Sequence, residues 1–232
     1  MAKYKRIVLK ISGEAMSDGR SNINGESVAN VAAQIKQIAS LGVELGVVVG
    51  GGNIWRGRTS ESMDRATADY VGMLATVMNG LALGEALSAC GVDNRVVSSF
   101  AIDKVCETYF LPNVDRYLKE GKVVIFVGGT GSPYFSTDTA ASLRACEIHA
   151  DALICLKAVD GIYDSDPTVN KKAVKYDVIS YDKVIADNLK ALDLTAIAMC
   201  REYGVRVVAI GKNEKDGVLR VLKGEKLGTV IQ

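Results

Sequence analysis

Val47-Val48-Val49-Gly50-Gly51-Gly52-Asn53 is an apolar β-branched run that stops in three glycines. Such a run predicts a buried strand, and glycine both adopts backbone angles closed to other residues and lets an anion approach peptide N–H groups. The stretch therefore reads as a phosphate site at a strand's C-terminal end, or, more plainly, as a tight strand-to-helix turn. Two other stretches repeat the pattern: Lys10-Ile11-Ser12-Gly13 closes the first apolar run and Gly128-Gly129-Thr130-Gly131 closes a later one. In open α/β sheets ligands sit outside the carboxyl ends of the strands, so three such loops would line one crevice.

Composition bounds the rest. The chain has 232 residues, 48% hydrophobic and 24% charged, which suits one domain or two closely packed lobes. With 28 basic against 27 acidic residues the net charge is +1, so no global field recruits nucleic acid or an anionic membrane, and local loops must do any phosphate binding. The N-terminus leads straight into a strand-like run without a signal peptide's apolar core, and no apolar stretch is expected to approach a membrane span; the expected location is the cytoplasm. Cys90, Cys106, Cys146, Cys155 and Cys200 are widely spaced, with no Cys-x-x-Cys pair, and read as reduced, mostly buried thiols. The single His149 argues against a His-based triad or a His-rich metal site.

Along the chain, strand-like runs at 5–11, 43–49, 95–99, 122–127, 151–157 and 205–210 alternate with helical patterns. This predicts a largely parallel sheet covered on both faces. Residues 17–25 are polar and read as a mobile loop. The helical stretch 62–90 carries apolar residues over more than one stripe, as a helix buried on several sides or lying in a subunit interface would. Within it Asp69 either points into a ligand site or lies on the wet face. Lys10, at the end of the first strand, faces the crevice mouth or solvent. Arg56 could clamp phosphate or be a solvated loop residue. Ser136 or Thr137 caps a helix, which puts Asp138 in the first turn, there either for the helix dipole or to orient a lysine or metal. The end of the chain holds a short helix and a terminal strand.

Neither Gly-x-x-x-x-Gly-Lys-Ser/Thr nor Gly-x-Gly-x-x-Gly occurs, so the usual phosphate motifs are excluded. Five blocks carry a resemblance instead: Lys-Ile-Ser-Gly-Glu-Ala at 10–15, Gly-Gly-Gly-Asn-Ile-Trp-Arg-Gly at 50–57, Gly-Met-Leu-Ala-Thr-Val-Met-Asn-Gly-Leu-Ala at 72–82, Gly-Thr-Gly-Ser-Pro-Tyr-Phe-Ser-Thr-Asp at 129–138 and Val-Asp-Gly-Ile-Tyr at 159–163. Through them the chain resembles the bacterial uridylate (UMP) kinases of the amino acid kinase family. The resemblance implies a three-layer αβα sandwich with a mainly parallel central sheet. It implies one domain, with an acceptor-nucleotide lobe at roughly 1–150 and an ATP-binding lobe at roughly 151–232. It further implies ATP-dependent phosphorylation of UMP to UDP, Mg²⁺ bound with ATP, no dedicated protein metal site, and a homohexamer built as a trimer of dimers. GTP activation and UTP inhibition are implied with it.

Carried over by residue, the resemblance places Lys10, Ile11, Ser12 and Gly13 on the ATP-phosphate loop, and Gly52 and Arg56 on the ATP side. It places Gly51, Asp69, Thr130, Gly131, Ser132, Pro133, Tyr134, Phe135, Ser136 and Thr137 at UMP. Tyr163 and Asp166 match the adenosine-side turn, Lys157 stands at a position that contacts ATP, and Asp138 and Asp193 match acids that orient the phosphate-binding groups beside the catalytic Lys10. Two rivals stand beside it: a kinase of carboxylate or carbamate acceptors, and a non-catalytic storage or regulatory protein.

Overall fold

The computed structural model describes residues 2–55 and 63–232. In chain order the elements are β1 (Arg6–Ile11), α1 (Gly25–Ala39), β2 (Glu44–Val49), α2 (Arg65–Ala89), β3 (Asn94–Ser98), β4 (Glu107–Thr108), α3 (Leu111–Lys119), β5 (Val123–Val127), α4 (Thr137–Glu147), β6 (Ala152–Lys157), β7 (Ile162–Tyr163), β8 (Lys175–Tyr176), β9 (Val178–Ile179), α5 (Tyr181–Ala186), α6 (Leu194–Glu202), β10 (Arg206–Gly211), α7 (Gly217–Leu222) and β11 (Thr229–Ile231). A short 3-10 helix, Gly13–Met16, follows β1 directly.

The main sheet runs β4-β3-β5-β2-β1-β6-β10-β11-β9. All neighbours are parallel except β10 and β11. Residues before 150 supply one side of the sheet and residues after it the other, meeting at the β1–β6 pair. Side chains alternate faces along a strand. Ile7, Leu9 and Ile11 thus pack with α1, α2 and α7 in one core, whereas Val8 packs with α3, α4, α5 and α6 in the other. The same alternation turns Lys10 toward the α4 layer, beside Cys155 of β6 in the register. Each strand at the centre is apolar on both faces because both are covered: all five residues of β5 are buried. Burying a Leu or Ile side chain is worth roughly 1.5–3 kcal/mol, which fixes these strands whatever their loops do.

Several expectations change. The two-residue strands β4 and β9 and the β7–β8 hairpin have no counterpart in the sequence pattern, being too short for periodicity. His149 lies just beyond α4 in a left-handed turn (φ 52°). The 17–24 loop is organised by Asp18, whose carboxylate accepts from the Arg20 and Ser21 N–H groups and the Asn24 side chain. By length and mean hydropathy α2 does reach the range of a membrane span, contrary to the sequence expectation. Its apolar character has another cause: Val77, Leu83 and Leu87 lie in the core, while Tyr70, Leu74, Met78 and Leu81 line the outer face, Met78 at 53% exposure.

Candidate active site

The three glycine loops converge at the C-terminal ends of β1, β2 and β5 around a cleft of about 510 Å³. Lys10, Ser12, Gly13, Gly51, Gly52, Asp69, Thr130, Ser132, Phe135, Ser136 and Thr137 all line it. The inner face of α2 holds the loops together. Asn79, fully buried, donates from Nδ2 to the Gly50 carbonyl (2.7 Å) and to Asn53 Oδ1 (2.7 Å), and accepts from Asn53 Nδ2 (3.0 Å). Three residues earlier, Thr76 Oγ1 donates to Met73 O and accepts the Gly128 N–H at 2.7 Å. Residues 76 and 79 share a helix face with Asp69, since spacings of three and seven bring side chains to one side.

Two glycines are there for close approach. A Cβ on Gly13 would lie 2.6 Å from the Gly50 carbonyl, and one on Gly51 would lie 2.6 Å from the Gly72 carbonyl of α2. Any side chain would push the loops apart. Ile11 contributes through its backbone, its carbonyl accepting the Gly50 N–H at 2.9 Å while its side chain sits in the core.

Lys10 Nζ lies 3.0 Å from Asp138 Oδ1, both side chains more than four-fifths buried. Burial works to lower the lysine's pKa, but the Asp138 carboxylate outweighs it, and the net displacement is upward from 10.5. Lys10 is therefore a fixed cation at neutral pH. Asp138 Oδ1 is buried, with the Lys10 ammonium within ion-pair distance. Asp138 sits in the first turn of α4, whose cap is Ser136: its Oγ accepts the N–H groups of Asp138 (2.9 Å) and Thr139 (3.2 Å). Ser136 Oγ in turn donates to Asp193, which also accepts from Thr139 Oγ1 (2.9 Å) and caps α6 through Ala196 N–H (2.9 Å). Asp193 thus stands behind the cleft wall and aims the N-terminus of α4, and with it Asp138.

Asp69 faces the cleft rather than the wet face of α2. Its carboxylate is on the cleft wall and accepts from Arg65 Nε (2.9 Å) and the Tyr134 N–H (2.8 Å). Tyr134, with φ 72°, and Phe135 are exposed at the rim, beside Pro133, and Gly131 turns the loop with its N–H on the Gly128 carbonyl. Arg56 lies outside the described residues. Lys157 ends β6 opposite Gly211, with its carbonyl accepting the Lys212 N–H at 2.7 Å, and Tyr163 and Asp166 lie in and just after the β7–β8 hairpin's first strand. Tyr163 OH donates to Asp160 Oδ1 (2.6 Å), whose second oxygen accepts from Lys175 Nζ (2.9 Å), and Asp166 caps the following turn through Thr168. None of these three lines this cleft. Among the described residues no three of His, Cys, Asp and Glu come together as a metal-binding group.

Residues missed from sequence are Thr76 and Asn79, and Arg65 and Met73 on the cleft wall. Polar residues at i and i+3 within an otherwise apolar helix were the available signal.

A lysine fixed at a strand end, a capped helix N-terminus and glycine N–H groups around one cleft define a phosphotransferase of the three-layer α/β type. The chain belongs to the amino acid kinase family, whose family model matches residues 5–211. Among solved structures it is similar to the UMP kinase of Bacillus anthracis, at 35% identity and TM-score 0.95, covering 99% of this chain and 96% of that one. It is similar also to the UMP kinase of Ureaplasma parvum, at 37% identity and TM-score 0.92, covering 99% of each chain. The uridylate kinase of Archaeoglobus fulgidus aligns over the whole of both chains at 26% identity and TM-score 0.74.

Proposed function

We propose that this enzyme transfers the γ-phosphoryl group of ATP to UMP, giving ADP and UDP. The observation that carries the reading is the Lys10–Asp138 pair, placed where the β1 loop meets the acceptor loop in a chain that aligns end to end with UMP kinases. An oxygen of the UMP phosphate attacks the γ-phosphorus in line, and the bond to the β–γ bridging oxygen breaks with its electron pair leaving on ADP. That acceptor oxygen is already ionised, so no general base is needed, which accounts for a site without histidine. Lys10 neutralises charge on the group in flight, while the glycine loops and the positive end of the α4 dipole border the same cleft. Asp138 keeps Lys10 charged and aimed; Asp193 aims Asp138.

Mg²⁺ would accompany ATP as part of the substrate and would offset charge on its phosphates. Asp69 holds the UMP ribose, and Lys157, Tyr163 and Asp166 face the adenosine of ATP. The exposed apolar stripe of α2 is the contact of a homodimer, three of which form a hexamer, and GTP activates and UTP inhibits by favouring different subunit arrangements. The reaction serves pyrimidine nucleotide synthesis in the cytoplasm.

The test is ADP release over a panel of nucleoside monophosphates, carbamate and carboxylates. UMP should be the preferred acceptor. A preference for carbamate or a carboxylate would move the chain to that branch of the family, and nucleotide binding without turnover would make it a non-catalytic binder.

A further inference from the structure

Beneath the acceptor loop lies a buried arginine that the transfer chemistry leaves unused. Arg144 of α4 is 4% exposed, with its guanidinium 3.9 Å from the ring centroid of Tyr109. Nη1 pairs with Glu147, and Nη2 donates to Ser99 Oγ at 3.0 Å. Ser99 Oγ is 2.6 Å from the Gly129 carbonyl and 3.2 Å from that of Val127, which already accepts the Ser99 N–H. A hydroxyl has one proton to give and Arg144 occupies a lone pair, so that proton goes to Gly129 O.

A trans peptide points its N–H opposite to its C=O. With the Gly129 carbonyl anchored on Ser99 below, the N–H of Thr130 is directed away from Ser99, on the side where Thr130 lines the cleft. That N–H donates to no protein group among the described residues. Hydrogen bonds in series polarise one another, and a charged donor at the head of the chain strengthens the last member. We infer that Arg144 and Ser99 are positioning residues that polarise the Gly129–Thr130 peptide, making the Thr130 N–H a strengthened donor to a carbonyl oxygen of the acceptor's base.

The base is the ligand part that meets it because of the sheet order. Lys10 ends β1, and Gly129 follows β5, two strands away across β2, or about 10 Å at the usual spacing. A nucleotide whose phosphate meets Lys10 and whose ribose meets Asp69 lays its base over β5. Uracil and cytosine share the O2 carbonyl and differ at position 4, so the Thr130 N–H is assigned to the position-4 oxygen of uracil, where the amino group of cytosine would set donor against donor. The relay thus favours uracil, which deepens the proposed function and rests on its acceptor assignment.

Calorimetry on Ser99→Ala and Ser99→Thr with UMP, CMP and ATP tests it. Ser99→Ala should weaken UMP binding about tenfold, the worth of one hydrogen bond. CMP and ATP should bind as before, so the UMP-to-CMP preference falls by the same factor, and Ser99→Thr, which keeps the hydroxyl, should restore it. Arg144→Lys, checked for its melting temperature, should lower the same preference in part. Equal weakening of UMP and CMP would mean that Ser99 merely supports the loop, and an unchanged preference would likewise overturn the relay. Wild-type protein that binds no UMP would overturn the acceptor assignment itself.

Discussion

Replacing Asn79 by Ala tests whether α2 sets the geometry of the site or only stabilises the fold. The side chain is fully buried and its amide nitrogen serves both Gly50 O and Asn53 Oδ1 at 2.7 Å. Alanine leaves the buried Gly50 carbonyl without this donor, at about 1–3 kcal/mol, whereas half-exposed Asn53 keeps the Asn22 carbonyl as a partner. For a domain of this length, where 1 kcal/mol moves Tm by about 2–4 °C, Tm should fall by roughly 2–12 °C. Because Gly13 is packed against Gly50 and Asn53, the loop that follows Lys10 should shift with them. A displacement near 1 Å at a reacting centre costs on the order of 10²-fold, so kcat/KM should drop by about that factor even at 20 °C, where the variant is folded. Calorimetry and initial rates measure the two effects separately. A lowered Tm with wild-type kcat/KM would refute the positioning role and leave Asn79 as a stability residue only.

Asp69→Ala should raise the KM for UMP by roughly 10- to 100-fold, the range for losing a charged hydrogen bond, with that for ATP nearly unchanged; equal rises would refute the ribose assignment. Replacing Leu74 and Met78 on the outer face of α2 by Glu should reduce the particle from about six times the 24.7 kDa chain mass and abolish GTP activation together, as light scattering with rate assays would reveal. A pKa raised above 10.5 means that folding favours charged Lys10, so its contribution is complete below that pH and fades only as pH rises through the displaced value. The rate should accordingly show no alkaline limb from Lys10 up to pH 10, and one centred near 8 would contradict the pairing with Asp138.

Much of this was legible because the fold is written in short apolar strands that end in glycine. The runs ending at Ile11, Val49 and Val127 are strands, and all three of their loops reach the cleft. For Asp138 the sequence left a helix-dipole role beside the orienting of a lysine or metal, and in the structure it lies 3.0 Å from Lys10 in the first turn of α4. Asp69 was not decidable, since a carboxylate on a long helix looks alike from either side until the Tyr134 N–H is brought to it from 65 residues away. Thr76 and Asn79 carry only the weak mark of polar residues at i and i+3 on an apolar helix, and their partners, like the Ser99 partner of Arg144, lie far away in sequence. The two-residue strands β4 and β9 exist only through pairing with β3 and β11.

The central claim is that Lys10 stabilises the phosphoryl group as it passes from ATP to UMP, and steady-state kinetics of Lys10→Ala with both substrates saturating test it most directly. Loss of one electrostatic contact to the transition state should cut kcat by roughly 10²-fold or more while the melting curve keeps its single transition. A kcat within a factor of three of the wild-type value would contradict the account.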